Sequence, residues 1–127
     1  MVDSAYAMFL WDANSSGTSQ LWADIGIDRF QGNLMLNINH WYHAAVVFDG
    51  SLAASQRVRL YVNGALDAEF AESATTLPAS TSPLYVGCLP LSGPAQEFAG
   101  TIDEAVVWMR ALGPDEIHAL FVATNPL

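Results

Sequence analysis

Residues 98–117 read FAGTIDEAVVWMRALGPDEI, and this stretch decides the fold class of the chain. An apolar run of strand length, residues 101–109, comes first and is followed by a corner at Gly113. Pro114 suits the first position of a helix, which needs no backbone N–H, and the acidic residues after it favour the positive end of a helix dipole. The stretch therefore predicts a closing strand over 101–109 and a helix from Pro114 to about residue 122.

Short runs separated by turn residues fill the rest of the chain, which is the pattern of an all-β domain. Residues 41–48 are apolar on both faces, so this strand belongs in the middle of a sheet or beneath a covering element. Asn63 and Gly64 tolerate the positive φ of a type I′ turn, which predicts a hairpin between residues 57–62 and 66–70. Further strands are predicted at residues 4–11, 20–27, 33–38 and 84–88.

Composition limits the classes of function. The 127 residues make one domain, residues 1–127, and only 13% of them are charged, against about 25% in an ordinary domain. Part of the surface is therefore expected to be hidden against a partner, most simply a second copy. A net charge of −9 argues against nucleic-acid binding, and no apolar run is long enough for membrane insertion. The chain contains no signal-peptide pattern, and its one cysteine, Cys88, is expected to be a small buried core residue.

Three segments in order resemble one known family. They are NHWYHAAVVFDG (residues 39–50), RLYVNGAL (residues 59–66) and the stretch at 98–117. The laminin-G-like branch of the concanavalin A-like jelly rolls has a Trp-x-His-Val-Ala strand, a Leu-Tyr-Val-Asn-Gly hairpin and then Phe-x-Gly-x-Ile-Asp-Glu before a Leu-Ser-x-x-Glu-Ile helix. The resemblance implies a two-sheet antiparallel jelly-roll sandwich with a short C-terminal helix. Residue 1 begins almost directly on what resembles a later strand of the family, so we expect either a trimmed sandwich or strands supplied by a neighbouring molecule.

The resemblance also implies a non-catalytic recognition module that binds carbohydrate or glycoprotein through rim loops, in an extracellular or cell-surface setting. Sugar faces stack on aromatic rings that have hydrogen-bonding groups beside them. Core packing is the competing interpretation for any single aromatic on a sandwich strand. The candidate ligand-binding residues are Trp11, Trp22, Tyr42 and Tyr61. In the Trp-x-His pair, Trp41 and His43 are expected to be packed rather than to contact a ligand.

Related domains sometimes hold a calcium ion on rim loops, where carboxylates and carbonyls supply hard oxygen ligands. The candidate ligands here are Asp103, Asp12 and Asp49, although structural hydrogen bonding is the favoured interpretation of Asp103. Asn14, Asp24 and Asp28 are further candidate ligands.

One group of acidic residues is similar to the catalytic motif of an enzyme family. Laminarinase-type hydrolases of this fold carry Glu-x-Asp-x-x-Glu, whereas this chain has Asp67-x-Glu69-x-x-Glu72 after the hairpin. The exposed outer face of a hairpin explains these acids better, so we expect no enzyme, with a glycoside hydrolase as a remote alternative. The second function class that stays open is a structural module that self-associates, most simply as a two-fold homodimer.

Overall fold

The computed structural model describes residues 5–12, 16–89 and 96–124. Every strand pair in these residues is antiparallel. The first sheet holds β1 (Tyr6–Trp11), β2 (Thr18–Ile25), β3 (Asp28–Gln31) and β4 (Leu36–Asn37). The second holds β5 (Ala44–Phe48), β6 (Val58–Val62) and β7 (Ala65–Phe70), and a short pair joins β8 (Cys88–Leu89) to β9 (Gln96–Glu97). Helix α1 (Pro114–Thr124) follows, which confirms the predicted all-β sandwich with a short C-terminal helix.

Strand β2 organises the first sheet. It pairs with β1 from Tyr6↔Ile25 to Trp11↔Gln20, and with β3 through a two-residue turn that begins at Gly26. Gly26 has a φ of 59°, which suits the first central position of a type II′ turn. The predicted strands at 20–27 and 33–38 leave residues 28–32 as a connection, and this is wrong for residues 28–31, which form β3.

Two apolar clusters hold three layers together. Between the sheets, Leu21 and Ala23 of β2 pack against Leu60 and Val62 of β6. On the other side of the second sheet lie Val47, Tyr61, Leu112 and Ile117, which fasten α1 to β5 and β6. The strand order is β5-β6-β7, so β5 is an edge strand. Its two apolar faces are explained by the covering helix rather than by a central position in the sheet.

The predicted strand at 101–109 does not form. These residues are exposed, and Glu104 has a φ of 51°, which interrupts an extended backbone. The predicted strand at 84–88 shrinks to Cys88–Leu89, and Cys88 is exposed rather than buried. Strand propensity is not sufficient, since a strand also needs a neighbour whose backbone groups pair with it. Over the described ranges, no helix is long and apolar enough to cross a membrane.

The predicted type I′ turn is confirmed, with φ of 51° at Asn63 and 76° at Gly64. The Asn63 side chain accepts the backbone N–H of His43 at 3.0 Å, while the Asn63 N–H donates to the His43 carbonyl at 2.8 Å. A Cβ on Gly64 would lie 3.0 Å from the Cβ of Phe121. The bare turn therefore lets helix α1 dock closely on the hairpin.

Substituting this glycine should loosen the helix. Gly64→Ala introduces both a left-handed alanine, costing about 1–2 kcal/mol, and a clash with Phe121. Gly17→Ala is the matched control, because Gly17 has a φ of 81° but no atom within 4 Å of its added Cβ. Urea unfolding should show a clearly larger loss for Gly64→Ala. Equal losses would contradict close docking of the helix at this turn.

His43 lies half-buried beneath the same helix, with its ring centre 6.1 Å from that of Phe121. Its Nδ1 is buried and has no hydrogen-bond partner among the described residues. Burial lowers the pKa of His43, because the charged imidazolium is poorly solvated there. The prediction that His43 is packed is confirmed. The same prediction is wrong for Trp41, which is 64% exposed and lies outside the strand.

The shifted pKa makes a prediction about stability and pH. Below about pH 6.5 the unfolded chain binds a proton at His43 that the folded chain resists, so stability should fall as the pH drops. His43→Gln stays neutral and should flatten the dependence measured by denaturant unfolding between pH 7.5 and 5. His40→Gln, at an exposed histidine, is the control. An unchanged slope in His43→Gln would contradict this account.

Candidate functional site

An aromatic cluster lies on the face of the first sheet that points away from the core. Because side chains alternate along a strand, burial of Leu21 and Ala23 turns Trp22 outward, opposite Phe9 of β1. The rings of Trp11 and Trp22 are 4.9 Å apart at an interplanar angle of 48°. Phe9 and Trp22 stack at 6.2 Å with an angle of 16°. The structure therefore brings two of the predicted ligand-binding residues, Trp11 and Trp22, into one cluster.

Polar side chains border these rings on the same face. The Gln31 amide donates to Gln20 Oε1 at 2.6 Å, and the Gln20 amide donates to the Gly32 carbonyl at 2.9 Å. Arg29 donates through Nε and Nη2 to the two oxygens of Asp24 at 2.7 and 2.8 Å, and this bond raises the pKa of Arg29. We call this surface the outer patch. It consists of Phe9, Trp11, Gln20, Trp22, Asp24, Arg29 and Gln31.

The outer patch combines an apolar platform with fixed polar groups. Trp11 is 46% exposed, and the Arg29 guanidinium lies 5.0 Å from the centre of the Phe9 ring. Trp22 is half-buried, and its Nε1 has no hydrogen-bond partner within the described part of the chain. Such a surface suits a ligand with one apolar face and several hydroxyl groups.

The two tyrosines predicted to bind ligand have other roles. Tyr61 is 2% exposed in the cluster beneath α1, so the prediction that it contacts a ligand is wrong. Tyr42 is half-buried against the core between the sheets, and its hydroxyl accepts the Asn37 N–H at 3.0 Å. Sequence reasoning missed Phe9, Gln20, Arg29 and Gln31. The alternation of β2, once its pairing is known, would have found them.

The three carboxylates predicted to bind calcium each serve their own loop. Asp12 accepts the N–H groups of Ser16 and Gly17 at 3.0 and 2.7 Å. Asp49 accepts the hydroxyl and the N–H of Ser51, and these bonds lower the pKa of Asp49. Asp103 is exposed and accepts the neighbouring N–H of Glu104 at 2.9 Å.

These carboxylates do not form one cluster. In the described ranges, no group of three or more His, Cys, Asp or Glu residues is placed to hold a metal ion. Asn14, a further candidate, lies outside the described residues. A calcium site built from Asp12, Asp49 and Asp103 stays a prediction without a geometric basis.

The acids of the hydrolase-like pattern are engaged in the fold. Asp67 accepts the N–H groups of Asn33 and Leu34, both at 2.9 Å. Glu69 pairs with Arg59 at 2.8 Å on the outer face of the hairpin. Glu72 is buried, so the prediction that all three acids lie on an exposed face is wrong for it. Glycoside hydrolysis requires two carboxyl groups that flank the scissile bond. Asp67 and Glu69 are bound to different partners and Glu72 is buried, so these three acids are not arranged as such a pair.

Comparison with known proteins gives the family. A laminin-G-type family model, described as the concanavalin A-like lectin/glucanases superfamily, matches residues 2–118. A search of curated proteins found no match. The crystal structure of an S-layer domain-containing protein from Clostridium thermocellum has a TM-score of 0.50 and 20% identity, a likeness of fold. The match covers 95% of this chain but only 65% of that one. Since the family model spans almost the entire length, the chain belongs to the concanavalin A-like lectin/glucanases superfamily.

Proposed function

We propose that this chain is a non-catalytic recognition module that binds the glycan of a carbohydrate or glycoprotein through the outer patch. The observation that carries the proposal is the Trp11–Trp22 pair, 4.9 Å apart, beside the amides of Gln20 and Gln31. The expectation from the family was binding at rim loops. The proposed surface is instead a sheet face whose geometry is fixed by the β1–β2 pairing.

The exposed ring of Trp11 offers apolar area to the C–H face of a sugar. The neighbouring amides and the Asp24–Arg29 pair are held by hydrogen bonds, so a ligand meets them already oriented. A net charge of −9 disfavours sulfated or otherwise anionic glycans. The ligand class is therefore a neutral glycan. An extracellular or cell-surface location belongs to this proposal, supported by the family and by the S-layer neighbour.

Replacing the exposed tryptophan tests the proposal. Aromatic stacking contributes roughly 0.5–1.5 kcal/mol beyond area burial, so Trp11→Ala should weaken glycan binding about tenfold. Trp41→Ala is the matched control, because Trp41 is also an exposed tryptophan (64%) but lies outside the outer patch. A glycan array identifies the ligand, and calorimetry then measures both variants.

Equal losses in Trp11→Ala and Trp41→Ala would contradict binding at the outer patch. The non-catalytic part is tested by incubating the chain with β-glucans, which should release no reducing ends. Turnover that disappears in Glu69→Gln would overturn it.

A second function, self-assembly, is favoured by a separate observation. Tyr6, Met8 and Leu10 of β1 share the face of the buried residues Ile25, Ala23 and Leu21, yet are 42%, 52% and 39% exposed. A groove of about 290 Å³ lies beside Tyr6. It is lined by Tyr6, Phe48, Leu77, Val107, Trp108, Met109 and Arg110.

We expect the groove to be covered by residues 101–110 of a second copy of the chain, because the charges of this segment are complementary to each other. Over the described chain, the backbone of residues 101–109 forms no backbone–backbone hydrogen bond. Apart from the Glu104 N–H, which donates to the Asp103 side chain, its N–H and C=O groups are therefore available for strand pairing. An antiparallel pair centred on Val107 would place Glu104 of each copy opposite Arg110 of the other, once Glu104 leaves its left-handed conformation and Arg110 exchanges Glu116 for this partner. Oppositely charged cross-strand pairs stabilise a register, so the segment is complementary to itself.

Val107→Glu tests this dimer, because it places two carboxylates opposite each other at the two-fold axis. Light scattering at micromolar concentration should give twice 13.7 kDa for the unaltered chain and the single mass for the variant. Val122→Glu makes the same change at a valine that is 60% exposed on the helix, and it should remain dimeric. A single mass for the unaltered chain would exclude the dimer.

A further inference from the structure

The outer patch has two chemically different ends. Trp11 pairs with Gln20 in the β1–β2 register, and Asp24 lies four residues further along β2. A strand rises about 3.3 Å per residue, so roughly 13 Å separates these two positions. Arg29 of β3 lies opposite Asp24, so an ion pair occupies the end of the patch away from Trp11. The patch is therefore longer than a single sugar ring and has room for a chain of sugars.

The Asp24–Arg29 pair keeps hydrogen-bonding capacity for a ligand. Arg29 donates through Nε and Nη2 to the two Asp24 oxygens and makes no other hydrogen bond within the described residues. A guanidinium has further N–H donors, and carboxylate oxygens have further lone pairs, so both groups can bind additional partners. The Arg29 side chain is 53% exposed and that of Asp24 is 19% exposed. A donor and an acceptor thus lie side by side within reach of a ligand.

The sheet beneath fixes the position of this ion pair. The Arg29 guanidinium lies 5.0 Å from the centre of the Phe9 ring, where the negative face of the ring attracts a cation. Ala7 lies opposite Asp24 on β1, and its side chain is only a methyl group. The register of three strands therefore orients the donor and the acceptor before a ligand arrives, which reduces the entropy cost of binding.

Two hydroxyl groups on adjacent carbon atoms match this arrangement. A hydroxyl both donates and accepts, so one hydroxyl can donate to Asp24 while its neighbour accepts from Arg29. We propose that the Asp24–Arg29 pair is a second sugar subsite that binds such a vicinal diol, so that the outer patch holds an oligosaccharide of at least two sugars. One sugar stacks on Trp11, and another places its diol on the ion pair. This inference rests on the proposed function, because it requires a first sugar at Trp11.

The dependence of affinity on glycan length tests the second subsite. The probes are neutral linear oligosaccharides of glucose, mannose, galactose and xylose, from monosaccharide to hexasaccharide, measured by calorimetry. Affinity should rise about tenfold once the chain reaches the ion pair, because hydrogen bonds to charged groups are gained, and should then level off. Asp24→Asn and Arg29→Gln should each remove this gain but leave the affinity for the shortest bound glycan unchanged. Trp11→Ala should weaken binding of every length.

Glu69→Gln is the matched control, because it breaks the cross-strand pair with Arg59 outside the outer patch and should leave binding unchanged. The subsite alone is overturned if Trp11→Ala weakens binding but affinity neither rises with length nor changes in Asp24→Asn. It is also overturned if Asp24→Asn weakens all lengths equally, which is the result expected of an ion pair that only supports the sheet. Absence of binding across the whole set would overturn the proposed function and the subsite with it.

Discussion

The burial of β6 between two layers is the constraint on which the other elements depend. Val58 and Leu60 are 0% exposed and face the first sheet, while Tyr61 is 2% exposed and faces the helix. Each such side chain contributes about 1.5–3 kcal/mol by leaving water. A strand buried on both faces needs a sheet above it and a covering element below it. The sandwich and the docked helix are therefore two requirements of the same strand.

The outer patch follows from the same constraint. Leu21 and Ala23 must face Leu60 and Val62 across the core, and a slip of one residue in β2 would turn them to solvent. Their orientation sends Trp22 to the opposite face, where the pairing with β1 places Phe9 beside it. Residues that stabilise the sandwich thus fix the geometry of the proposed binding surface. A loop-based site would lack this coupling to the core.

Local signals predicted those parts of the fold that depend on nearby residues. Asn63 and Gly64 specify the turn because both adopt a positive φ. The helix begins at Pro114, where the Glu116 carboxylate caps it by accepting the N–H of the preceding Gly113 at 2.8 Å. The errors concern features that depend on distant partners. Residues 101–109 have the composition of a strand but no pairing neighbour among the described residues. Tyr61 was predicted to be accessible to a ligand, but it is buried beneath the C-terminal helix.

The outer patch was only partly predictable from the sequence, because it also depends on residues that are distant in the chain. Trp11 and Trp22 were singled out as aromatic residues, but their polar neighbours depend on cross-strand register, which composition does not encode. Burial of Glu72 likewise depends on the loop that Arg57 holds. Single-residue chemistry was thus visible in the sequence, whereas the grouping of residues required the pairing of strands.

The use of the four arginines limits the chemistry of any partner. Arg29, Arg59 and Arg110 are paired with Asp24, Glu69 and Glu116, and Arg57 is bound to backbone carbonyls. With 13 acidic residues and four basic ones, the chain has no lysine or further arginine to offer an anion. An anionic ligand would have to break one of these pairs and approach the remaining acids. Neutral hydroxyl-rich ligands avoid both costs, so the charge balance favours the same ligand class as the outer patch.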